Sequence, residues 1–362
     1  MFNEELKLKK LEQTRRYREE LKKNPVLNNL FFELTLRCNE RCLHCGSSCG
    51  DVSSNEMTIA QYDKLMHEIK EDFTEYIPDM LLNITGGEPL LRKDFFEIME
   101  IANNLGYYWG MTTNGTLITK DIAKDLKRVG LKSVSISIDG LEDTHDTFRR
   151  TPGGWNKAMT GVQNLIDEGG FDHIQITTVV THKNIGELEE LYKIMQGIDI
   201  DSWRVMEIDP IGRALKNPDY LLTPDDFKYM VEFIREKRMN ADPVMYGCSH
   251  YIGLEYEREI RDWYFLCTAG VHTASIACNG DILACLDIER RPELVQGNWL
   301  KGDRFSDVWY NRFKQFRGED LACNSEKCMS CSSKDYCHGG SFHTWDFDKQ
   351  EQRICLKGIL FE

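Results

Sequence analysis

The sequence lacks any run of about 18 consecutive apolar residues, and its first residues contain no apolar segment of the kind found in secretory signal peptides. It also lacks an excess of basic residues, since 59 aspartates and glutamates against 45 lysines and arginines give a net charge of −14. The first absence argues against a membrane-spanning segment, and the second argues against binding to the nucleic-acid backbone. We therefore expect a cytoplasmic protein with no membrane or nucleic-acid partner.

Cysteine is absent between residues 50 and 247, although the chain of 362 residues contains 13 cysteines. Four of them lie between residues 38 and 49, eight lie between residues 267 and 355, and Cys248 stands apart from both groups. Disulfide frameworks belong to small secreted chains, so these thiols are expected to bind metal or take part in redox chemistry. The distribution predicts two metal-binding regions separated by a cysteine-free scaffold.

The scaffold shows short apolar runs that alternate with helical patterns. Residues 4–23 predict a charged helix, and six strand-then-helix units follow it. The six strands are predicted at residues 30–36, 80–85, 108–112, 133–138, 173–180 and 203–208. This order favours a parallel sheet curled into a whole or partial barrel, with a doubly wound open sheet as the alternative. In both arrangements ligands bind at the C-terminal ends of the strands.

The composition changes near residue 240 to short strands, turns and cysteines, and we expect a domain boundary there. The Asn279-Gly280 pair between two apolar runs predicts a β-hairpin that places Cys285 on its returning strand. The expected units are an N-terminal helix at 1–29, a barrel at 30–240, a bridging segment at 241–266 and a cysteine-rich domain at 267–362.

Three cysteines follow the first predicted strand with the spacing Cys38-x3-Cys42-x2-Cys45. Three thiolates on one loop can hold an iron–sulfur cluster and leave one iron open for a non-protein ligand. A zinc site completed by Cys49 or His44 is the alternative, because structural zinc usually takes four protein ligands. The motifs GGEP, TNG and SIDG come at the ends of the next three predicted strands, which predicts one shared site.

The cysteine spacing resembles the signature of radical S-adenosylmethionine (AdoMet) enzymes. The resemblance implies that Cys38, Cys42 and Cys45 hold a [4Fe–4S] cluster whose fourth iron binds AdoMet. It implies reductive cleavage of AdoMet to methionine and a 5′-deoxyadenosyl radical, which takes a hydrogen atom from the substrate. A flavodoxin- or ferredoxin-type donor would supply the electron. The fold it implies is α/β, a partial (β/α)6 TIM-type barrel followed by a small cysteine-rich auxiliary-cluster domain with a β-hairpin.

The later motifs match those of the family in order, and the resemblance implies contacts with AdoMet. The GGEP motif corresponds to the site of the AdoMet amino group, and the next two motifs correspond to ribose and carboxylate contacts. Helix capping and turn formation are the alternative roles of the polar residues. The AdoMet-binding residues implied in this way are His44, Gly86, Gly87, Glu88, Asn114, Ser137, Asp139 and Thr178.

The C-terminal cysteines resemble the SPASM domain of radical AdoMet enzymes that modify peptides and proteins. The resemblance assigns Cys267 and Cys285 to an inner auxiliary cluster whose third position is Ser341. Cys323 or Cys278 could replace the missing cysteine ligand, or the serine oxygen could bind the iron. The cluster could also keep one iron without a protein ligand, or be absent. One or two auxiliary clusters are therefore expected, with a one-cluster twitch arrangement and a zinc ribbon as alternatives. The outer cluster is assigned to Cys328, Cys331, Cys337 and Cys355.

We expect an enzyme that modifies a ribosomally synthesised peptide by a side-chain crosslink, a thioether, oxidation or epimerisation. Because only about thirty residues precede the first strand, we also expect a separate leader-binding protein or a leaderless substrate. The alternatives are sulfatase-type protein maturation, modification of a small molecule such as a tetrapyrrole, and a non-catalytic cluster-binding module. Sulfatase-maturing relatives carry aspartate directly after the cysteine matching Cys285, where this chain has Leu286. Asp287 and Asp209 are candidates for proton transfer, with turn or surface carboxylates as their alternative roles.

Overall fold

A computed structural model describes residues 4–50, 55–75, 77–248 and 250–362. Within these residues, one ten-stranded sheet and one two-stranded ribbon are formed. The strands are β1 (Asn29–Glu33), β2 (Leu81–Thr85), β3 (Tyr108–Thr113), β4 (Ser133–Ser137), β5 (His173–Val180), β6 (Ser202–Glu207), β7 (Val244–Tyr246), β8 (Thr273–Ile276), β9 (Asp281–Leu283), β10 (Gly297–Asn298), β11 (Trp345–Asp346) and β12 (Glu351–Gln352).

Helices connect the strands and surround the sheet. They are α1 (Glu4–Lys23), α2 (Ile59–Asp72), α3 (Phe95–Asn104), α4 (Lys120–Arg128), α5 (Glu142–Arg149), α6 (Gly154–Glu168), α7 (Leu188–Gln196), α8 (Pro224–Met239), α9 (Gly253–Tyr256), α10 (Phe305–Asn311), α11 (Lys314–Arg317), α12 (Glu326–Met329) and α13 (Lys334–Cys337). None of the helices in the described part of the chain is long and apolar enough to cross a membrane.

The strand order distinguishes the two arrangements that the sequence left open. Strands β1 to β7 lie in sequential order and pair in parallel, with a helix between each pair of neighbours. Strand–helix–strand connections between parallel strands are right-handed, and here each one leads to the next strand in the same direction across the sheet. All helices therefore lie on one face of the sheet, and the sheet curls toward a barrel. A doubly wound sheet requires a reversal of strand order, which this sheet does not have. The predicted α/β fold with a parallel, barrel-type sheet is confirmed.

The sheet extends beyond the six predicted strands at both edges. The short strand β7, inside the predicted bridging segment, pairs in parallel with β6. Strand β8, inside the cysteine-rich region, pairs in parallel with β1, so this region begins as part of the same sheet. The predicted hairpin joins β8 to β9, and Gly280 adopts a φ of +81° in its turn. Cys285 lies beyond β9, so its predicted position on the returning strand is wrong, because the pairing with β8 ends at Leu283.

Residues along the strands alternate between an apolar face and a polar face. On β6, Trp203 and Val205 are buried, and the Trp203 ring packs against Phe233 of α8 with centroids 5.9 Å apart. The intervening residue, Arg204, is half-buried and donates to the Thr177 hydroxyl of β5 at 3.1 Å. Because side chains alternate along a strand, the helices cover the apolar face and the polar side chains line the concave face. This concave face opens toward the C-terminal strand ends, where the site lies.

The N-terminal helix α1 packs against the C-terminal half of the chain. Lys7 forms an ion pair with Glu259 at 2.8 Å, and Lys22 forms one with Asp320 at 2.6 Å. Leu11 is buried in a small apolar cluster with aromatic residues of the region before the hairpin. The predicted charged helix at 4–23 is therefore present, and its charges hold it against the cysteine-rich region.

Candidate functional site

The first cysteine group lies on a loop that leaves the C-terminal end of β1 and closes on itself. The backbone N–H of Cys38 donates to the carbonyl of Gly50 at 3.1 Å, and the N–H of Gly50 donates to the carbonyl of Leu36 at 2.9 Å. Inside this cysteine loop (residues 38–50), the Cys45 thiol interacts electrostatically with those of Cys38 and Cys42. The loop thus gathers three soft sulfur ligands, a donor set that suits an iron–sulfur cluster with one open iron.

Burial controls the protonation of these thiols. It raises the pKa of Cys38 to about 11 and the pKa of Cys42 well above its ordinary value. Cys45 differs, because a hydrogen bond from the Cys49 thiol lowers its pKa to about 6. Ionising three partly buried thiols without a counter-charge is costly, and bound metal supplies that charge. The three thiols therefore fit a metal–sulfur group, with Cys49 beside them as a hydrogen-bond donor.

Two glycines of the GGEP motif let the segment after β2 pack against the start of the cysteine loop. The N–H of Gly87 donates to the carbonyl of Thr35 at 2.7 Å, and the N–H of Glu88 donates to the carbonyl of Arg37 at 2.9 Å. A Cβ atom on Gly86 would lie 2.4 Å from the Thr35 oxygen, and one on Gly87 would lie 2.1 Å from the Arg37 oxygen. No side chain tolerates such contacts, so the motif needs both glycines to support the loop.

Glu88 is fully buried and is tied to the end of β3. Its carboxylate accepts hydrogen bonds from the Thr113 hydroxyl and from the backbone N–H of Asn114, both at 2.9 Å. Burial raises the pKa of Glu88 to about 7. The side-chain amide of Asn114 donates to Asn39 of the cysteine loop at 2.8 Å. Glu88 and Asn114 therefore lie beside this loop, and their contact with AdoMet stays a prediction.

A buried ion-pair network supports the cysteine loop from the other side. Arg149, at the end of α5, pairs with Glu40 at 2.8 Å and with Asp139 at 2.7 Å. Both carboxylates are fully buried. His44 stacks on Phe148 with ring centroids 4.5 Å apart. Asp139 and His44 thus hold the loop in place, and an AdoMet contact of either residue stays a prediction. No motif marks Arg149 or Glu40, and sequence reasoning missed both.

The segment after β6 clamps the same loop through Arg213. The Nε of Arg213 donates to the carbonyl of Cys42, and its Nη1 donates to the carbonyl of Cys49, both at 2.7 Å. Its backbone N–H donates to the carbonyl of Cys45 at 3.0 Å. Sequence reasoning missed Arg213 as well, because its partners lie more than 160 residues away along the chain.

Ser137 and Thr178 lie on opposite faces of the sheet. Ser137 is half-buried at the end of β4, in register with the polar residues of the concave face. Thr178 is fully buried; its hydroxyl accepts from the Trp203 indole N–H at 2.8 Å and donates to the carbonyl of Ile138 at 2.6 Å. Thr178 thus faces the helices, and the adjacent Thr177 faces the concave side.

The outer cysteines line a single cavity in the C-terminal region. Burial raises the pKa of Cys337 to about 12, and its thiol interacts electrostatically with the other three. The Lys357 ammonium lies 3.6 Å from the Cys331 sulfur, where it can balance thiolate charge. His250 and Tyr251 form part of the same cavity wall. Four converging thiols fit the outer auxiliary cluster, and the residues concerned are Cys328, Cys331, Cys337 and Cys355.

The cavity distinguishes two candidate ligands. Cys328 lies in its wall, whereas Cys323 is exposed and outside it. We expect Cys328→Ala to lose about four irons per chain and Cys323→Ala to lose none, because a [4Fe–4S] cluster needs its thiolate ligands. Iron and sulfide assays on anaerobically reconstituted protein measure the difference. Equal iron loss in the two variants would contradict this assignment.

The inner cysteine pair lies near Asp287, a carboxylate that also interacts electrostatically with Arg204 of the concave face. The thiols of Cys267 and Cys285 interact electrostatically, and the Cys285 sulfur lies 3.9 Å from the Asp287 carboxylate. Ser341 is fully buried. The ligands of an inner cluster stay a prediction. Of the two candidates for proton transfer, Asp287 contacts the Cys285 thiol, whereas Asp209 lies far from it along the chain and is enclosed by two histidines.

Comparisons with known proteins agree with this geometry. Residues 32–195 match the Radical SAM superfamily, and residues 267–332 match SPASM, an iron–sulfur cluster-binding domain. The AdoMet-dependent heme synthase of Methanosarcina barkeri is 27% identical over 328 residues, which cover 85% of this chain and 89% of that protein. The mycofactocin maturase MftC of Mycolicibacterium smegmatis is 29% identical over 316 residues, which cover 86% of this chain and 77% of that protein.

Solved structures share the fold. Streptococcus suis SuiB bound to S-adenosylmethionine superposes with a TM-score of 0.70 at 17% identity, over 92% of this chain and 78% of that one. Native anSMEcpe with bound AdoMet superposes with a TM-score of 0.69 at 18% identity, over 92% of this chain and 94% of that one. The likeness therefore extends over both the barrel-type sheet and the cysteine-rich region.

Proposed function

The chain is an enzyme of the radical SAM superfamily with a C-terminal SPASM domain, and we propose that its substrate is a ribosomally synthesised peptide. Its cofactors are a [4Fe–4S] cluster with AdoMet and one or two auxiliary iron–sulfur clusters. The likeness to the mycofactocin maturase MftC, along 86% of the chain, supports the proposal for the substrate. The reaction would crosslink, oxidise or epimerise a side chain, or join it in a thioether.

We assign the radical-generating cluster to Cys38, Cys42 and Cys45. When bound there, the cluster supplies one electron for cleavage of AdoMet and so yields a 5′-deoxyadenosyl radical that takes hydrogen from the substrate. The protein's own part is to hold the three thiols in a fixed loop. Arg149 and Arg213 fix that loop through buried ion pairs and carbonyl contacts, so the thiols need little rearrangement when they bind metal.

The concave face offers a second binding group, Arg204. Its Nε donates to the Thr177 hydroxyl at 3.1 Å, and its aliphatic stem lies against Gly247 at the end of β7. Among the described residues, no carboxylate lies within ion-pair distance of its guanidinium. Asp287 interacts with this guanidinium electrostatically but beyond ion-pair distance, so its hydrogen-bond donors can still take a planar anion from outside the protein. We propose that Arg204 binds a carboxylate of the substrate.

Replacing Arg204 with glutamine is expected to raise the KM for the peptide by roughly tenfold to a hundredfold, since a charged hydrogen bond contributes about 1.5–3 kcal/mol. The exposed Arg128→Gln variant serves as the control and should leave the KM unchanged. Kinetics with the free peptide and with a peptide whose carboxylates are amidated measure the effect. If amidation weakens binding equally in the wild type and in Arg204→Gln, the pairing with Arg204 is wrong.

We also propose a leader-binding protein and an electron donor as partners, and the cytoplasm as the compartment. The net charge of −14 favours a basic leader or a basic core peptide. A separate leader-binding protein would present the precursor, and a flavodoxin- or ferredoxin-type donor would supply electrons in the cytoplasm. If the purified enzyme modified a full-length, leader-bearing precursor unaided, the separate leader-binding protein would be unnecessary.

A second candidate substrate is a tetrapyrrole. It is favoured by the AdoMet-dependent heme synthase of Methanosarcina barkeri, which matches 85% of this chain, and coproporphyrins carry carboxylates that Arg204 could bind. One anaerobic experiment with reduced, reconstituted enzyme and AdoMet distinguishes the two candidate substrates. We expect a mass change in a leader-bearing precursor peptide, and no heme from iron coproporphyrin III. Heme formation with an unchanged peptide would overturn the peptide proposal.

A further inference from the structure

Four metal-ligating side chains that belong to neither cysteine group meet between the barrel-type sheet and the C-terminal region. Asp209 follows β6, Cys248 and His250 follow β7, and His343 comes just before β11. One ligand atom from each lies within 4.8 Å of those of the other three. Cys248 and His250 are buried, and the other two are mostly buried. We call these four residues the mixed-ligand cluster.

The ligand atoms of the mixed-ligand cluster point at one another. The Nε2 of His250 lies 3.5 Å from one Asp209 oxygen, and the Nε2 of His343 lies 3.3 Å from the other. The two imidazole rings are nearly perpendicular, with an interplanar angle of 69° and centroids 5.3 Å apart. Both rings thus aim the same nitrogen at a shared carboxylate, as ligands around a central ion do.

Unsatisfied polar atoms mark the same place. The Nε2 of His343 is buried and makes no hydrogen bond of acceptable geometry, although the Asp209 oxygen is near. The Oε2 of Glu207 is also buried without a hydrogen bond of acceptable geometry; this carboxylate interacts with the Cys248 thiol, and its other oxygen lies 3.3 Å from His250. A hydrogen-bonded network without metal would satisfy these atoms, because buried polar groups rarely stay unpaired. A cation bound by the Nε2 of His343 would give this buried nitrogen a partner.

We propose that the mixed-ligand cluster binds one zinc ion. Two imidazoles, one thiolate and one carboxylate form a four-ligand set that zinc accepts at about 2.0–2.3 Å per bond. In a tetrahedron of that size neighbouring ligand atoms lie about 3.3–3.8 Å apart, close to the two nitrogen–oxygen distances already present. With four protein ligands the site is closed, so the ion has a structural role.

The ion would connect two parts of the chain. Three ligands come from the ends of β6 and β7, whereas His343 lies two residues beyond the buried Ser341 of the cysteine-rich region. His250 also lines the cavity of the outer cysteines. Zinc at this position would fix the cysteine-rich region against the edge of the sheet. The site uses none of the cysteines assigned to the iron–sulfur clusters, so it is additional to them.

The test measures zinc and iron together by mass spectrometry on full-length, anaerobically reconstituted protein dialysed against zinc-free buffer. We expect one zinc per chain in the wild type and less than about a tenth of that in His343→Ala, with iron unchanged. The exposed His182→Ala variant is the matched control and should keep its zinc. Unchanged iron in His343→Ala also shows that the variant has folded.

The measured zinc could instead be bound by the outer cysteines. The Cys328→Ala variant distinguishes this site from the mixed-ligand cluster. We expect Cys328→Ala to keep its zinc while it loses iron. Zinc absorption spectroscopy on the wild type should show one sulfur at about 2.3 Å and lighter ligands at about 2.0–2.1 Å, and the sulfur should disappear in Cys248→Ser. Zinc-free wild type, or zinc lost in Cys328→Ala and kept in His343→Ala, would overturn the proposal. Neither readout depends on AdoMet cleavage or on the substrate.

Discussion

The Cys42→Ala variant is expected to lose about four irons per chain and to form no 5′-deoxyadenosine from AdoMet under reducing conditions. Cys42 is a buried thiol of the cysteine loop, and its carbonyl is held by Arg213 at 2.7 Å. Removing its sulfur leaves two thiols of the three, which are too few to hold a cluster with a single open iron. Iron, sulfide and 5′-deoxyadenosine assays on anaerobically reconstituted protein measure the loss.

The matched control is Cys49→Ala, which separates an iron–sulfur loop from a four-cysteine zinc knot. Cys49 is buried like Cys42 and lies beside Cys45, to which it donates a hydrogen bond. We expect Cys49→Ala to keep its iron and its AdoMet cleavage, with a reduced rate at most. If Cys49→Ala lost all iron as Cys42→Ala does, the loop would use four cysteines and the three-ligand assignment would fail.

The second large effect is expected from Arg149→Met, which removes the centre of the buried ion-pair network. Glu40 and Asp139 would each lose a partner at 2.8 and 2.7 Å while remaining fully buried. Removing one partner of a buried pair costs about 3–5 kcal/mol, because a charge is left uncompensated. We expect a large fall in the free energy of unfolding and a loss of iron from the cysteine loop. Chemical denaturation of the metal-free protein and iron analysis measure the two effects.

Two further variants show whether charge causes this loss. The exposed Arg128→Met should leave stability unchanged, since its partners Asp125 and Glu100 are solvated. Adding Glu40→Gln and Asp139→Asn to Arg149→Met should restore part of the stability, because no uncompensated charge then remains. If the triple variant were less stable than Arg149→Met, packing and not charge would explain the result.

The pH dependence of the Arg149→Met penalty has a definite sign. Burial tends to raise the pKa of Asp139, and the charge of Arg149 outweighs it, so the pKa of that carboxyl lies below its ordinary value. A lowered carboxyl pKa stabilises the fold above the unfolded value of about 3.9, and this stabilisation is lost as the pH falls further. We therefore expect the penalty to be largest near neutral pH and to shrink below about pH 4.

Local patterns were sufficient to predict most of the sheet. The six strands and the hairpin carry apolar runs bounded by turns, and such runs depend on neighbours in sequence. Strand β7 escaped prediction because it spans only three residues, and the pairing of the hairpin strand β8 with β1 escaped prediction because the two strands lie far apart along the chain. Their membership in the sheet depends on tertiary pairing, which no local pattern records.

The residues that support the site were harder to predict than the ligands. The cysteine spacings are local, so the sequence marks them directly. Arg149 reaches Glu40 across 109 positions, and Arg213 reaches Cys42 across 171 positions. Thr178 shows another limit of local patterns, because a one-residue shift along a strand moves a side chain to the other face; its contact with AdoMet stays a prediction. Only the fold shows that Thr177 and not Thr178 faces the concave side.

The most direct test of radical generation at the cysteine loop is a single assay on the wild-type enzyme. The anaerobically reconstituted protein is reduced with dithionite in the presence of AdoMet, and 5′-deoxyadenosine and methionine are measured by chromatography. We predict that both products form together and only when reductant is present. A protein that carries its full complement of iron and sulfide, yet forms no 5′-deoxyadenosine, would contradict the assignment of radical chemistry to this site.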